Sequence, residues 1–101
     1  MSVRGCRNFQ AYLDKTPGGP PQLRVSGECE VEDSRFGIEL RPMESQSGVV
    51  RRFTCVRVEE SEIGTPAFTW KPVSYSEDAD RDYSEVWLDC CNLTIDVKVI
   101  S

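Results

Sequence analysis

Hydrophobic and polar residues alternate along most of the chain with the period of two that is typical of β-strands. In the clearest run, Val86, Leu88 and Cys90 lie at even positions, and from Leu93 to Val99 the apolar residues lie at odd positions. The phase changes at Cys90-Cys91, so either one long strand contains a bulge there or two strands meet there. A two-residue hairpin would favour glycine, which is absent at this point, so we expect a bulged strand.

The same alternation predicts further strands at residues 8–14, 22–31, 36–41, 49–59 and 67–75. The strand at 49–59 changes phase at Cys55-Val56, which indicates a second bulge. Gly27 falls on the inward side of its strand, where the missing side chain indicates a bulge or a close-packed neighbour. Pro72 cannot donate to a ladder, so its strand lies at a sheet edge or ends there.

Short polar or proline- and glycine-rich segments separate these strands, and no capped run with helical periodicity occurs after Pro17. Six to seven strands at this spacing predict an all-β fold. We expect a single-domain antiparallel β-sandwich or partly open barrel, with bulged long strands, formed by residues 1–101.

Composition narrows the class of protein. With 101 residues and 39% hydrophobic residues, the chain is large enough to bury one core. No apolar stretch is long enough to span a membrane, and the first ten residues contain no apolar segment of a signal peptide. We therefore expect a soluble, cytoplasmic protein that does not bind membranes.

Charge is distributed unevenly, although the whole chain carries a net charge of −5. Residues 1–58 contain nine Lys and Arg against seven Asp and Glu, whereas residues 59–101 contain three against ten. The acidic second half would repel a phosphate backbone, so we expect no nucleic-acid partner.

The segment PGGPPQLRVSGECEV, around Leu23, Val25 and Gly27, resembles a small bacterial family of roughly hundred-residue proteins, in which a Pro/Gly loop leads into an L-x-V-x-G strand. The resemblance covers about fifteen residues. That family is uncharacterised, so the resemblance implies a small β-rich protein and no particular activity.

The chain has five cysteines, at positions 6, 29, 55, 90 and 91, and no C-x-x-C spacing. This odd number and spacing favour neither a disulfide framework nor a zinc site. Cys29, Cys55 and Cys90 alternate with apolar residues, so we expect reduced cysteines that fill core positions. At least one of Cys90 and Cys91 would be accessible as a reactive thiol, because neighbours at a bulge point to opposite faces.

Histidine is absent from the chain, which removes the usual neutral-pH general base and the commonest ligand for transition metals. No phosphate-binding glycine loop and no nucleophile elbow is present either. We therefore expect no cofactor and, more broadly, no catalytic function.

One acidic motif resembles the start of a calcium-binding loop. Asp78, Asp80 and Asp82 alternate, so their carboxylates could converge on a hard cation if the loop turns sharply. The EF-hand pattern requires glycine at its sixth position and glutamate at its twelfth, where this chain has Tyr83 and Asp89. A solvated acidic loop is the simpler interpretation.

Exposed aromatic residues suggest an interaction surface. Trp87 lies on the opposite side of its strand from the apolar residues, and Tyr75 follows Pro72. Aromatic side chains on an outer sheet face suit protein interfaces, although packing under a loop would explain them equally well. Our main hypothesis is a non-catalytic module that binds a protein partner or forms a homo-oligomer. The alternatives are a calcium-binding module and a thiol redox sensor using Cys90 and Cys91.

Overall fold

The computed structural model describes residues 5–44 and 48–100, and its regular elements within those ranges are β-strands. The seven strands are β1 (Gly5–Asp14), β2 (Gln22–Val31), β3 (Phe36–Met43), β4 (Val50–Glu59), β5 (Thr69–Asp78), β6 (Glu85–Leu88) and β7 (Leu93–Ile100). The predicted all-β fold is confirmed.

The strands form one sheet in the order β3-β4-β6-β7-β1-β2-β5. The end strands β3 and β5 approach each other, so the sheet curls into a nearly closed barrel, as the partly open alternative predicted. Two of the six ladders between described residues, β1–β7 and β4–β6, are parallel. Alternation does not distinguish parallel from antiparallel neighbours, because strands of both kinds have a period of two.

The core lies inside this curled sheet and contains the inward residues of every strand except β7. Phe53 is the largest fully buried side chain, and its ring contacts Tyr75 edge-on with centroids 5.0 Å apart. Burying a side chain of this class contributes about 1.5–3 kcal/mol. The other buried residues of the core are Ala11, Leu13, Leu23, Val25, Cys29, Val31, Ile38, Leu40, Cys55, Val73, Val86, Leu88 and Cys90.

β1 contains a bulge that the sequence did not predict. Its register against β2 shifts between Arg7 and Gln10, where Asn8 has a φ of 57°. Asparagine tolerates this left-handed conformation better than most residues. A Cβ atom added to Gly27 on β2 would lie 2.4 Å from the ring of Phe9. Gly27 therefore leaves room for the Phe9 ring, which confirms the close-packed neighbour predicted there.

The two bulges predicted at Cys55-Val56 and Cys90-Cys91 are wrong. β4 pairs with the whole of β3, from Arg52 to Glu59, without a register shift. β6 and β7 are separate antiparallel strands, joined by a turn at residues 89–92. Asn92 has a φ of 50° in this turn, so asparagine adopts the left-handed conformation for which we expected the turn to need glycine.

The two end strands of the sheet each contain a proline, Pro42 in β3 and Pro72 in β5. Proline removes a backbone donor, so it is tolerated where a strand has a neighbour on one side only. The edge position predicted for Pro72 is confirmed, although β5 continues beyond the predicted end at Tyr75. The strand predicted at residues 36–41 extends to Met43, and residues 45–47 after it lie outside the described part of the chain.

Candidate functional site: a cluster of five cysteines

Strand pairing brings the five cysteines of the chain together. Cys6 and Cys29 are direct partners in the β1–β2 ladder. Cys91 follows Cys90 in the turn between β6 and β7. These residues are separated by up to 85 positions in the sequence, so only the fold makes them neighbours.

A second cysteine pair results from the parallel β4–β6 ladder. Its last described pair is Phe53 with Leu88, and Cys55 and Cys90 each lie two residues further along the chain. The Asp89 backbone N–H donates a hydrogen bond to the Phe53 carbonyl over 3.1 Å, which holds the turn against β4. The Cα atoms of Cys55 and Cys90 are 5.7 Å apart.

Cys55 and Cys90 are joined by a disulfide bond. The expectation of reduced cysteines at Cys55 and Cys90 is therefore wrong, while Cys6, Cys29 and Cys91 are free. Sequence spacing could not show this pair, because it depends on a parallel contact between strands that are distant in the chain. The partner of Cys90 is Cys55 and not its neighbour Cys91.

Cys6 lies at the centre of the cluster. Its Sγ is 3.7 Å from the Sγ of Cys29. The sulfur atoms of Cys6, Cys29 and Cys55 lie within 4.8 Å of one another, and so do those of Cys6, Cys90 and Cys91. The Cys6 sulfur is therefore within 4.8 Å of every other cysteine sulfur in the chain.

The crowded sulfur atoms change one another's acidity. The Cys6 S–H bonds to the Cys29 sulfur and favours ionisation there, which lowers the pKa of Cys29. The same bond, together with burial, raises the pKa of Cys6 well above its ordinary value. Burial, followed by the bond to Cys6, raises the pKa of Cys91 to about 12. The two half-buried thiols, Cys6 and Cys91, are therefore protonated at neutral pH.

A shallow cleft of about 440 Å³ leads to the cluster, between the start of β1 and residues 89–93. The half-buried Cys6 and Cys91 line it, whereas Cys55 and Cys90 are only 6% and 8% exposed. Asp89 lines the same cleft, and its Oδ1 is buried with no hydrogen-bond partner in residues 5–44 and 48–100. An unpartnered carboxylate oxygen favours a cation nearby.

The predicted reactive thiols occupy different environments. Cys90 is buried in the disulfide, and Cys91 is a free, half-buried thiol. The sequence predicted that at least one of these two residues is accessible. The accessible thiol is therefore Cys91, whereas Cys90 belongs to the disulfide bond.

The three aspartates of the acidic motif have separate surroundings. Asp80 pairs with Arg81 over 3.3 Å, which lowers the pKa of Asp80, and Asp82 pairs with Lys15 over 2.8 Å. Asp78 is the last residue of β5. Within the described ranges, the groups of three or more ligand atoms that lie within 4.8 Å of one another contain only cysteines. A calcium site at Asp78, Asp80 and Asp82 stays a prediction.

The two aromatic residues considered for an interface are both half-buried. Tyr75 packs against Phe53, and its hydroxyl donates to Glu77 over 3.3 Å. The Arg52 guanidinium lies 4.4 Å from the centre of the Trp87 ring. Tyr75 therefore contributes to the core, and a role of either ring in partner binding stays a prediction.

No protein-family model matches the chain, and comparison with curated proteins and with solved structures gives no match. Among the described residues there is no helix long and apolar enough to cross a membrane.

Proposed function

We propose that this chain is a thiol–disulfide redox module in which Cys55 and Cys90 change between a disulfide and two thiols. The observation that supports this proposal is the position of Cys6, a free thiol within 4.8 Å of both sulfur atoms of the bond. A thiol beside a disulfide is the arrangement that thiol–disulfide exchange needs. The cleft gives external thiols and disulfides access to Cys6.

Oxidation of the reduced pair can use a small external disulfide. The Cys6 thiolate attacks it, forms a mixed disulfide and releases one half as a thiol. The Cys90 thiolate then attacks the Cys6 sulfur and displaces the other half as a second thiol. Cys55 finally attacks the Cys90 sulfur and leaves Cys6 free. Two protein thiols and one external disulfide thus give one protein disulfide and two external thiols.

The environment of the thiols sets the speed of this exchange. Thiolate is the attacking species, and the raised pKa of Cys6 and Cys91 keeps its concentration low at neutral pH. Cys29 has a lowered pKa but is fully buried. We therefore expect slow exchange that follows the redox balance of the surroundings, and not the fast reaction of a peroxide sensor.

Mass spectrometry of the redox-equilibrated protein tests this function. The protein is equilibrated in glutathione buffers of increasing oxidised fraction, in the presence of EDTA, and free thiols are then alkylated. Trypsin releases Cys55 within residues 53–57 and Cys90 within residues 82–98, so a linked pair is identified by mass. We expect this pair to accumulate as the buffer becomes oxidising and to disappear reversibly on reduction.

The Cys91→Ala variant serves as the matched control, because Cys90 and Cys91 share one tryptic peptide. It should retain the linked pair, whereas Cys6→Ser should form that pair more slowly. Full alkylation of Cys55 and Cys90 in the folded protein under oxidising buffer would reject the proposed function.

A further inference from the structure

We propose that the reduced chain binds one Zn²⁺ ion through Cys6, Cys55, Cys90 and a fourth thiolate from Cys29 or Cys91. This inference goes beyond the redox function. The Cys55–Cys90 pair alone leaves three thiols of the cluster unexplained.

The distances between the sulfur atoms suit a tetrahedral thiolate site. A Zn–S bond of about 2.3 Å in tetrahedral geometry separates neighbouring sulfur atoms by roughly 3.8 Å. Cys6 and Cys29 are already 3.7 Å apart. The other contacts of the Cys6 sulfur lie within 4.8 Å, so each needs to shorten by no more than about 1 Å to reach this spacing. Reduction frees Cys55 and Cys90 to separate to the same distance.

The donor set selects the class of metal. Thiolate sulfur prefers Zn²⁺ and Cu⁺, whereas Ca²⁺ and Mg²⁺ prefer oxygen ligands. Each ligating cysteine releases its thiol proton to solvent as the metal–sulfur bond forms, and no electron is transferred. The unpartnered Oδ1 of Asp89 adds negative charge to the cleft through which the ion would enter.

The position of the cluster suits a structural or storage site. Three of its ligands come from β1, β4 and the β6–β7 turn, so one ion would tie together three parts of the sheet, and β2 as well if Cys29 is the fourth ligand. Cys6 is shared by both sulfur triads, which makes it the residue that every version of the site requires.

Metal titration of the fully reduced protein tests this inference. The protein is kept anaerobic with a phosphine reductant and titrated with Zn²⁺ against a chromophoric chelator, and in parallel with Co²⁺. We expect one equivalent to bind and the Co²⁺ form to show the intense visible bands of a tetrahedral thiolate site. Asp80→Asn, which alters the acidic loop only, should bind like the wild type, and millimolar Ca²⁺ should not compete.

Substitution identifies the ligands. Cys6→Ser should weaken Zn²⁺ binding at least tenfold, and one of Cys29→Ser and Cys91→Ser should change the Co²⁺ spectrum. Alkylation of the zinc-loaded wild type gives a measurement that needs no variant, because ligating cysteines are protected and can be identified by mass.

The proposed site is overturned if the reduced, folded wild type does not bind zinc. It is also overturned if Cys6→Ser binds zinc as tightly as the wild type, or if Cys29→Ser and Cys91→Ser both leave the Co²⁺ spectrum unchanged. The redox function is measured in EDTA, without metal, and metal binding is measured with the cysteines reduced. Failure of one proposal therefore does not imply failure of the other.

Discussion

At the scale of single residues, the bulge in β1 depends on the fit of the large Phe9 side chain against Gly27, which has no side chain. The Phe9 ring occupies the space above Gly27, and the side-chain amide of Asn8 donates to Glu28 over 3.1 Å. Arg7 donates to the same carboxylate over 3.0 Å, and these bonds lower the pKa of Glu28. The bulge lies between Cys6 and the rest of β1, so it helps to fix the position of the central sulfur.

Gly27→Ala should destabilise the protein by about 1–3 kcal/mol, because the new methyl group would overlap the base of the Phe9 ring and force the packing to shift. Urea unfolding followed by tryptophan fluorescence measures the change. Gly37→Ala is the matched control, because the nearest atoms to its methyl group would belong to the flexible carboxylate of Glu60, which can move aside. Equal stability losses in the two variants would show that the Phe9 contact is not the cause.

Alternation identified much of the core at this scale. Ala11, Leu23, Val25, Leu40 and Val86 were all expected to face inward and are buried. Cys29, Cys55 and Cys90 were also assigned to inward positions, and all three are buried. The sequence could not show that these three sulfur atoms meet, because inward-facing residues on different strands become neighbours only through strand order.

At the scale of elements, one of the two wrong bulges was predicted where two strands meet. The phase change at Cys90-Cys91 had two explanations, and the absence of glycine favoured the wrong one. Asn92 takes the positive φ of the four-residue turn, and the Asp89 backbone N–H bonds to Phe53. Parallel pairing of β4 with β6 needs no local signal in either strand, because the connection between them passes through β5.

The Cys55–Cys90 bond should stabilise the chain mainly by restricting its unfolded state. The two residues are 35 positions apart, for which loop-closure entropy gives about 3–4 kcal/mol. Urea unfolding in EDTA, with and without reductant, should show a loss of this size on reduction. The Cys55→Ser/Cys90→Ser double variant should unfold identically under both conditions. A wild type unaffected by reductant would show that the bond does not restrict the unfolded chain.

At the scale of the whole molecule, the apolar side chains of β7 become more exposed towards the end of the strand. Leu93, Ile95 and Val97 are half-buried against the core, but Val99 on the same face is 60% exposed. Ile100 on the opposite face is 43% exposed. Exposed apolar surface can mark a site that binds another protein, so the end of β7 is where we test the self-association hypothesis.

We therefore expect weak, concentration-dependent dimerisation through the end of β7, measured by light scattering after size exclusion. Val99→Lys should shift the protein to monomer, because a buried lysine would lose its hydration in the interface. Thr94→Lys adds the same charge to the same strand at an exposed position away from that end, so it should leave the association unchanged.

The measurement should include reductant and EDTA, since an intermolecular disulfide or a shared metal ion would also join two chains. A strict monomer at high concentration would contradict the hypothesis, and equal effects of both lysines would point to net charge as the cause.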